Sequence, residues 1–496
     1  MNDYDSILDI TIEQNLEQLP PQDVVQAVSS WRHAFNRVLL GLLFITITLN
    51  FFYLNYICST VGIILCLLGF RTLRKENIWF GFCYSICIVK IAFLIFTLFL
   101  NSTIYNDTFD NSRLSIIFMV FNLIISVALP FGLWRALVAV KTKIGLGKIS
   151  ASFALFVWYV LVGLLSFSDA NTLISLLLLV CFVAILICLF KLSENFELIG
   201  YSVTPTLIKI PDILLSILFL LAVVLSMSFG YIFFNSYPMD WKLKEQSDNK
   251  SVADIKYDLR NKGFPSDMLN DICDSDILEC ANALSVYVSG IDDYPVNEGR
   301  QVVDITEQDG KTVYNHSIVY DVKELRITGV AVKLADNPVK WKIFYHFNWV
   351  VNPGFYGTES IQLWPCYSNS AWLNCSEITG MLLCDKNGKT YTSDYYRIYD
   401  KTYTADTIIN GVQTSTDVFA DFSFNFGGEN HRGYLSHIVV SNKTGHLMYE
   451  MFNYTHQSSC FQFPVLTASQ NRMRGPFNST EAFTVVQNSI FVDEYS

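Results

Sequence analysis

The sequence predicts a membrane all-α bundle of seven transmembrane helices, followed by an extracytoplasmic α+β region dominated by an antiparallel β-sandwich. Composition gives the first reason: of 496 residues 51% are hydrophobic and only 16% charged, too apolar for an ordinary soluble chain. Distribution gives the second. Residues 1–236 hold 13 acidic and 13 basic side chains, whereas 237–496 hold 32 and 21, so the second half carries the whole net charge of -11. The third is a change of period, because apolar runs of bilayer length give way near residue 284 to short alternating stretches bounded by turn residues. The predicted domains are 1–32, cytosolic acidic amphipathic helices; 33–236, the bundle; 237–285, an exterior helical adaptor; and 286–496, the exterior sandwich.

The spans follow from length. The first apolar block, 38–70, would make roughly 50 Å of helix, too long for one crossing of a core about 30 Å thick. It divides at the polar turn between Asn50 and Asn55, with a helix beginning near His33 and a second ending before RTLRKE. Five further runs, 78–100, 114–134, 149–167, 173–190 and 213–234, bring the count to seven. Pro130, near the inner end of the fourth run, is a position for a kink.

Short-loop charge sets the orientation, since Lys and Arg are retained on the cytoplasmic side. The loops assigned inside hold eleven basic residues, among them Arg32, Arg71, Arg74, Lys75, Lys141 and Lys143, while the outer turns hold Arg113 alone. An odd number of spans then puts the N-terminus in the cytoplasm and the C-terminal domain outside a cell membrane. The opening 30 residues are acidic and polar, so the first span is expected to act as an uncleaved anchor.

The stretch around Ile12, Leu16 and Leu19 reads as an amphipathic helix stopped by Pro20 and Pro21, either packed under the bundle or docking a cytosolic partner. Residues 251–283 read as helix, turn, helix, with Ser251 as cap, Gly263 as terminator and Pro265 opening the second helix, a stalk or adaptor. Beyond it ELRITGVAVKLA, KWKIFYHFNWVV, TDVFADFSF and RGYLSHIVV read as strands of a sandwich or jelly roll. The last apolar stretch, Ser479 to Ile490, reads as a short helix capped by Ser479.

Six cysteines lie in the spans and act as small apolar fillers. The exterior six, Cys273, Cys280, Cys366, Cys375, Cys384 and Cys460, are an even set in an oxidising compartment, which suggests one to three disulfides; without CxxC spacing, a metal site is not expected. Eight N-x-S/T sequons, beginning at Asn101, Asn106, Asn249, Asn315, Asn374, Asn442, Asn453 and Asn478, all fall on the side assigned outside.

The segments PPQDVVQAVSSWRHAFNRVLLGLL, LLGFRTLRKEN and GFPSDMLNDICDSDILEC resemble stretches of uncharacterised multi-pass membrane proteins of Gram-positive bacteria, over about the first 290 residues. The resemblance implies a cell-membrane location and unused sequons, and brings no activity with it.

Chemistry is sparse. GxSxG, HExxH, GxxxxGK[ST] and GxGxxG are absent, so no cofactor is expected; with no basic stripe after residue 150, nor is nucleic acid. His431 and His437 are six apart and share a face if their stretch is one strand. In KWKIFYHFNWVV the odd positions Trp341, Ile343, Tyr345, Phe347 and Trp349 form one face, expected in the core. Trp364, Tyr367 and Trp372 surround the cysteine-rich loop, where aromatic rings can stack on a cell-wall sugar or a peptide.

Lys90 is the remaining anomaly, a charge thirteenth in the 23-residue run 78–100. Mid-bilayer charge is costly and demands a reason. No Asp or Glu lies inside a predicted span, but Asn122 is close in depth, about 12 Å from the outer end against about 15 Å for Lys90. The expected arrangement is an interhelical pair of Lys90 and Asn122, with Ser126 nearby. The leading functional expectation is extracytoplasmic ligand binding or sensing by a membrane-anchored β-domain. A transporter or channel component is the alternative if the bundle encloses a polar cavity at Lys90, and an exported hydrolase is third.

Overall fold

The computed structural model describes residues 31–492 apart from 48–50, 145–149, 167–171, 200, 202, 205–209, 246–248, 297–299, 309–310, 320–322, 366–371, 375, 408–410, 442–447 and 475–480. The chain forms two compact units. The first runs to Leu100 and resumes over Tyr105–Phe229; the second comprises Asn101–Ile104 and Gly230–Ser496. The expected N-terminal amphipathic helix lies outside the described residues.

The first unit is helical: α1 Trp31–Thr46, α2 Leu54–Leu73, α3 Ile78–Asn101, α4 Asn106–Asp110, α5 Arg113–Ile144, α6 Ser150–Leu165, α7 Thr172–Leu198 and α8 Asp212–Phe233. Five of these, α2, α3, α5, α7 and α8, are long and apolar enough to cross a membrane. Among the described residues five of the expected seven spans reach that length. Helices α1 and α6 have 16 residues each and rise only about 24 Å, short of a hydrocarbon core about 30 Å thick. Helix α5 instead continues ten residues beyond the predicted 134, through Pro130, to Ile144. The outward faces carry leucine and isoleucine where a water-soluble helix would carry charge, as at Leu173, Leu176 and Leu177 of α7 and Ile213, Ile217 and Leu221 of α8.

Helices α1 and α2 pack closely and antiparallel. A Cβ at Gly41 would lie 2.6 Å from the Gly62 carbonyl oxygen, and one at Gly69 would lie 2.7 Å from that of Ala34, so small residues let the backbones approach. Asn77 opens α3: its Oδ1 accepts from the Trp79 and Phe80 amides, while its Nδ2 donates to Ala136 of α5 at 3.1 Å. The predicted cytoplasmic ends are tied by charge, with Arg37 2.6 Å and Arg71 3.4 Å from Asp212. Glu76 accepts from Tyr201 and the Thr204 amide. Burial works to raise its pKa, but these bonds and Lys143 outweigh it and hold the carboxyl below its usual range.

The second unit is β-rich and antiparallel throughout. Its strands are β1 Lys242–Leu243, β2 Ser285–Tyr294, β3 Arg300–Gln308, β4 Lys311–Val319, β5 Leu325–Asp336, β6 Val339–Trp349, β7 Glu359–Pro365, β8 Trp372–Asn374, β9 Thr379–Lys386, β10 Lys389–Ser393, β11 Arg397–Thr407, β12 Gly411–Phe422, β13 Glu429–Ser441, β14 Met448–Gln457 and β15 Phe483–Val492. One sheet has the order β1-β10-β9-β13-β6-β5-β2, with β8 also on β13; a second runs β11-β12-β7-β14-β15, and β3 pairs with β4 alone. The two larger sheets share one apolar core, to which β6 gives Trp341, Ile343, Tyr345, Phe347 and Trp349, the face its alternation predicts.

The opposite face of β6 is buried too. Helices α9 Lys250–Asn261, α10 Ser266–Asp271 and α11 Asp274–Leu278 cover it, with Leu259, Phe264, Met268 and Ile277 against Val330, Phe344 and Tyr434. This helical piece, expected as a stalk or adaptor, is thus a layer of the β-domain. Gly263 ends α9 at φ +102, as predicted, while Asn249 rather than Ser251 supplies the cap. The helix predicted over 479–490 is a correction: from Phe483 the chain is β15, paired along its length with β14. Phe483, Val486, Asn488, Ile490 and Val492 turn inward, and β-branched packing against β14 outweighs the cap signal at Ser479, itself outside the described residues.

Candidate functional site

Lys90 sits in a cavity of about 270 Å³ within the helical unit. Helix α1 contributes Leu42, Ile45 and Thr46, α5 contributes Leu123, Ser126, Val127 and Leu129, and α6 contributes Trp158, Tyr159, Val162 and Gly163 to its walls. The ammonium, on a residue only 9% exposed, donates to Ser126 Oγ at 3.0 Å. Across the cavity Thr46 Oγ1 and Tyr159 OH share a hydrogen bond of 2.5 Å. Among the described residues no carboxylate lies within ion-pairing distance of Lys90. Pro130, four residues beyond Ser126, has no N–H to give the Ser126 carbonyl, so the backbone adds a polar atom at the same level.

Of the expected pair, the structure brings Lys90 to Ser126 and leaves Asn122 on the exposed surface of α5. Four residues turn a helix by about 40° beyond one revolution, enough to carry one position inward and the other out. Matching depths could not make that distinction. Thr46, Trp158 and Tyr159 escaped the sequence reading because each is ordinary in an apolar helix; only packing gathers them.

The aromatic and cysteine candidates of the β-rich unit are scattered. Trp364 is 37% exposed on β7 of the five-stranded sheet, whereas Trp372 is on β8, paired to β13 of the other. Tyr367, Cys366 and Cys375 lie outside the described residues. Cys273, Cys280, Cys384 and Cys460 are free thiols, which corrects the expected disulfides among these four. Cys273 and Cys280 are held by polar contacts within the α11 segment, Cys273 Sγ being 3.2 Å from Asp276 Oδ2 and Cys280 Sγ 3.5 Å from the Asp276 carbonyl. The Asn453 sequon is buried, its side chain donating to Gln362 at 3.1 Å, and cannot carry a glycan in the folded domain.

The titratable groups of the β-domain are largely consumed by packing. Asp276 accepts from Lys342 (2.8 Å), Tyr434 (2.6 Å), Thr379 (2.7 Å) and Ser436 (3.1 Å). Burial acts to raise its pKa, yet these donors prevail and hold it below the usual carboxylate range. Asp271 is lowered in the same way, its burial offset by His346 at 2.9 Å and Arg432 at 2.9 Å. His437 and Glu450 face each other at 3.2 Å, and His456 and Glu359 at 2.7 Å, all four buried. His431, on the same strand as His437, is sealed among Phe424, Tyr356 and Gly428, and burial pushes its pKa down to about 4. Among the described residues no three His, Cys, Asp or Glu side chains are arranged to hold a metal. A cleft of about 220 Å³ beside β1 and β10, lined by Asp240, Lys242, Asp394 and Tyr396 among others, is a polar opening of this unit.

Comparison with known proteins adds little. No family model matches the sequence, nor does a curated protein. Among solved structures the chain is similar to a "Pore forming protein" (8% identity, 39% of this chain and 97% of that one, TM-score 0.18) and to Clostridium perfringens delta-toxin (7%, 40% and 97%, 0.17). It is also similar to the collagen binding domain of Erysipelothrix rhusiopathiae surface protein RspB (7%, 42% and 79%, 0.17). TM-scores this low carry no argument about function.

Proposed function

We propose that this is a seven-pass cell-membrane protein with a cytoplasmic N-terminus and an exterior β-sandwich, whose bundle binds a molecule bearing an acidic group at Lys90 as a transport component. One observation carries the reading: a buried ammonium lines a cavity and has a hydroxyl, not a carboxylate, as its partner among the described residues. A charge inside a bilayer marks a functional site by default, and an unpaired one calls for an anion. Two short helices count as spans because each runs antiparallel to a longer neighbour, α1 to α2, and α6 to α5 through Phe156–Phe131 and Gly163–Leu123.

The test is thermal shift of the delipidated full-length protein in a neutral detergent, with hexanoate and oleate as probes. A ligand that binds only the folded state raises the midpoint by an amount that grows with the logarithm of its concentration over its Kd. Both acids should raise it, and Lys90→Met should abolish the shift while Lys90→Arg retains part of it. An equal shift in Lys90→Met would sink the proposal. Exterior ligand binding is the second reading, favoured by the polar cleft beside β10 more than by the separated Trp364 and Trp372.

A further inference from the structure

The Lys90 cavity shares walls with a second space. A groove of about 430 Å³, almost wholly apolar, runs between α5 and α6 and is lined by Leu123, Ile124, Val127, Phe131, Phe156 and Leu164, among others. Leu123, Val127 and Gly163 border both spaces, so they form a shared wall between the cavity and the groove. Gly163 makes this partition thin, since a Cβ there would lie 2.9 Å from Leu123 Cδ1. The outer lips of the groove, Ile124 and Leu164, are exposed on the apolar surface of the bundle, 58% and 66%.

The polar end has a definite chemistry. Lys90 offers donors only, with N–H groups left after its bond to Ser126; Ser126, while accepting that bond, keeps its own O–H. The Thr46–Tyr159 bond uses one hydroxyl proton and leaves the other. One positive charge with hydroxyl donors beside it suits an acceptor-only monoanion, and a carboxylate is such a group. The two spaces together fall within the roughly 300–1,000 Å³ usual for small-molecule sites.

We propose that the occupant is a single-chain lipid carboxylate drawn from the bilayer, its acid on Lys90 and Ser126 and its chain in the α5–α6 groove, reached laterally past Leu123 and Gly163. This rests on the reading of Lys90 as an anion site and extends it to the ligand class and the route. A charged head alone would leave the groove unexplained, and a neutral lipid would leave the ammonium unpaired.

Binding of hexanoate and oleate to the full-length protein in dodecyl maltoside separates the two ideas. In the wild type oleate should bind at least about tenfold tighter than hexanoate, the equivalent of roughly two further buried methylenes. Ile124→Trp, at the exposed lip, should cut that preference below about threefold and leave hexanoate unchanged. Gly163→Leu, which thickens the partition, should cut the preference as well, with hexanoate read only in the lip variant because Gly163 also lines the Lys90 cavity; the lip variant keeps the test intact if this one fails to fold. Oleate binding lost in Lys90→Met but untouched by both groove variants would overturn the lipid route and leave the anion site standing. Failure of both acids to bind the wild type, or binding that survives Lys90→Met, would overturn both.

Discussion

Two buried lysines of this chain meet opposite fates. Lys342 of the β-domain is 1% exposed and lies 2.8 Å from Asp276 and 2.5 Å from Glu279, with Asp276 further satisfied by Tyr434, Thr379 and Ser436. Lys90 of the bundle is almost as buried and, among the described residues, donates to Ser126 in the cavity wall, with room beside it. Burial by itself therefore does not identify a functional charge. A lysine enclosed by its own carboxylates locks α11 onto the sheet, whereas one enclosed with hydroxyls and a void is open to a partner from outside the chain.

The same substitution should divide them. Lys342→Met strands Asp276 without its counter-charge, and removing one partner of a buried pair costs about 3–5 kcal/mol. Hydrogen exchange of β6 and β13 in the full-length protein should accelerate accordingly. Lys90→Met removes a charge that no carboxylate among the described residues compensates, so without ligand the bundle should be no less stable. Equal losses at both sites would erase the distinction.

A smaller effect separates a buried histidine of the β-domain without an ion-pair partner among the described residues from the buried ones that have one. His431 has a folded pKa of about 4 against an ordinary 6.5, because burial penalises its charged form. The unfolded chain then binds the extra proton between these values, so stability is complete above pH 6.5 and falls toward pH 4, by roughly 3 kcal/mol in total. Asp271 and Asp276, with lowered pKa values, act in a lower window: their contribution is intact above the unfolded carboxylate range, near pH 4, and is lost as acid protonates them. His431→Leu should flatten the upper limb of the thermal midpoint against pH and leave the lower one. Superimposable curves would remove His431 from the account.

Smallest of all is a local cap. Helix α12, Ala468–Met473, starts with a reciprocal box in which Thr467 Oγ1 accepts from the Gln470 amide and Gln470 Oε1 accepts from the Thr467 amide at 2.8 Å. Thr467→Ala should cost about 1 kcal/mol, read as faster exchange confined to this segment. A global loss would mean that Thr467 does more than cap.

Much of the architecture was legible because its signals are local. The apolar runs located α2, α3, α5, α7 and α8, and alternation in KWKIFYHFNWVV chose the core face of β6. Gly263 marked a helix end because a left-handed residue there favours glycine. Misreadings arose where a local cue met a distant partner. The cap at Ser479 lost to pairing between β14 and β15, and Asn122, right in depth, lost to Ser126 in azimuth. The even count of cysteines after residue 237 said nothing about whether two thiols meet.

By itself, then, the sequence determined that apolar helices precede an acidic β-rich region, since hydrophobic period and charge are written residue by residue. It also determined that Lys90 is an anomaly. Only the tertiary structure decided what surrounds that lysine, because Thr46, Ser126 and Tyr159 come from three helices whose rotation about their axes depends on packing. The same holds for the helices over β6, whose amphipathic faces were visible while the sheet they cover was not. Local periodicity says that a face must be buried; the whole fold says against what.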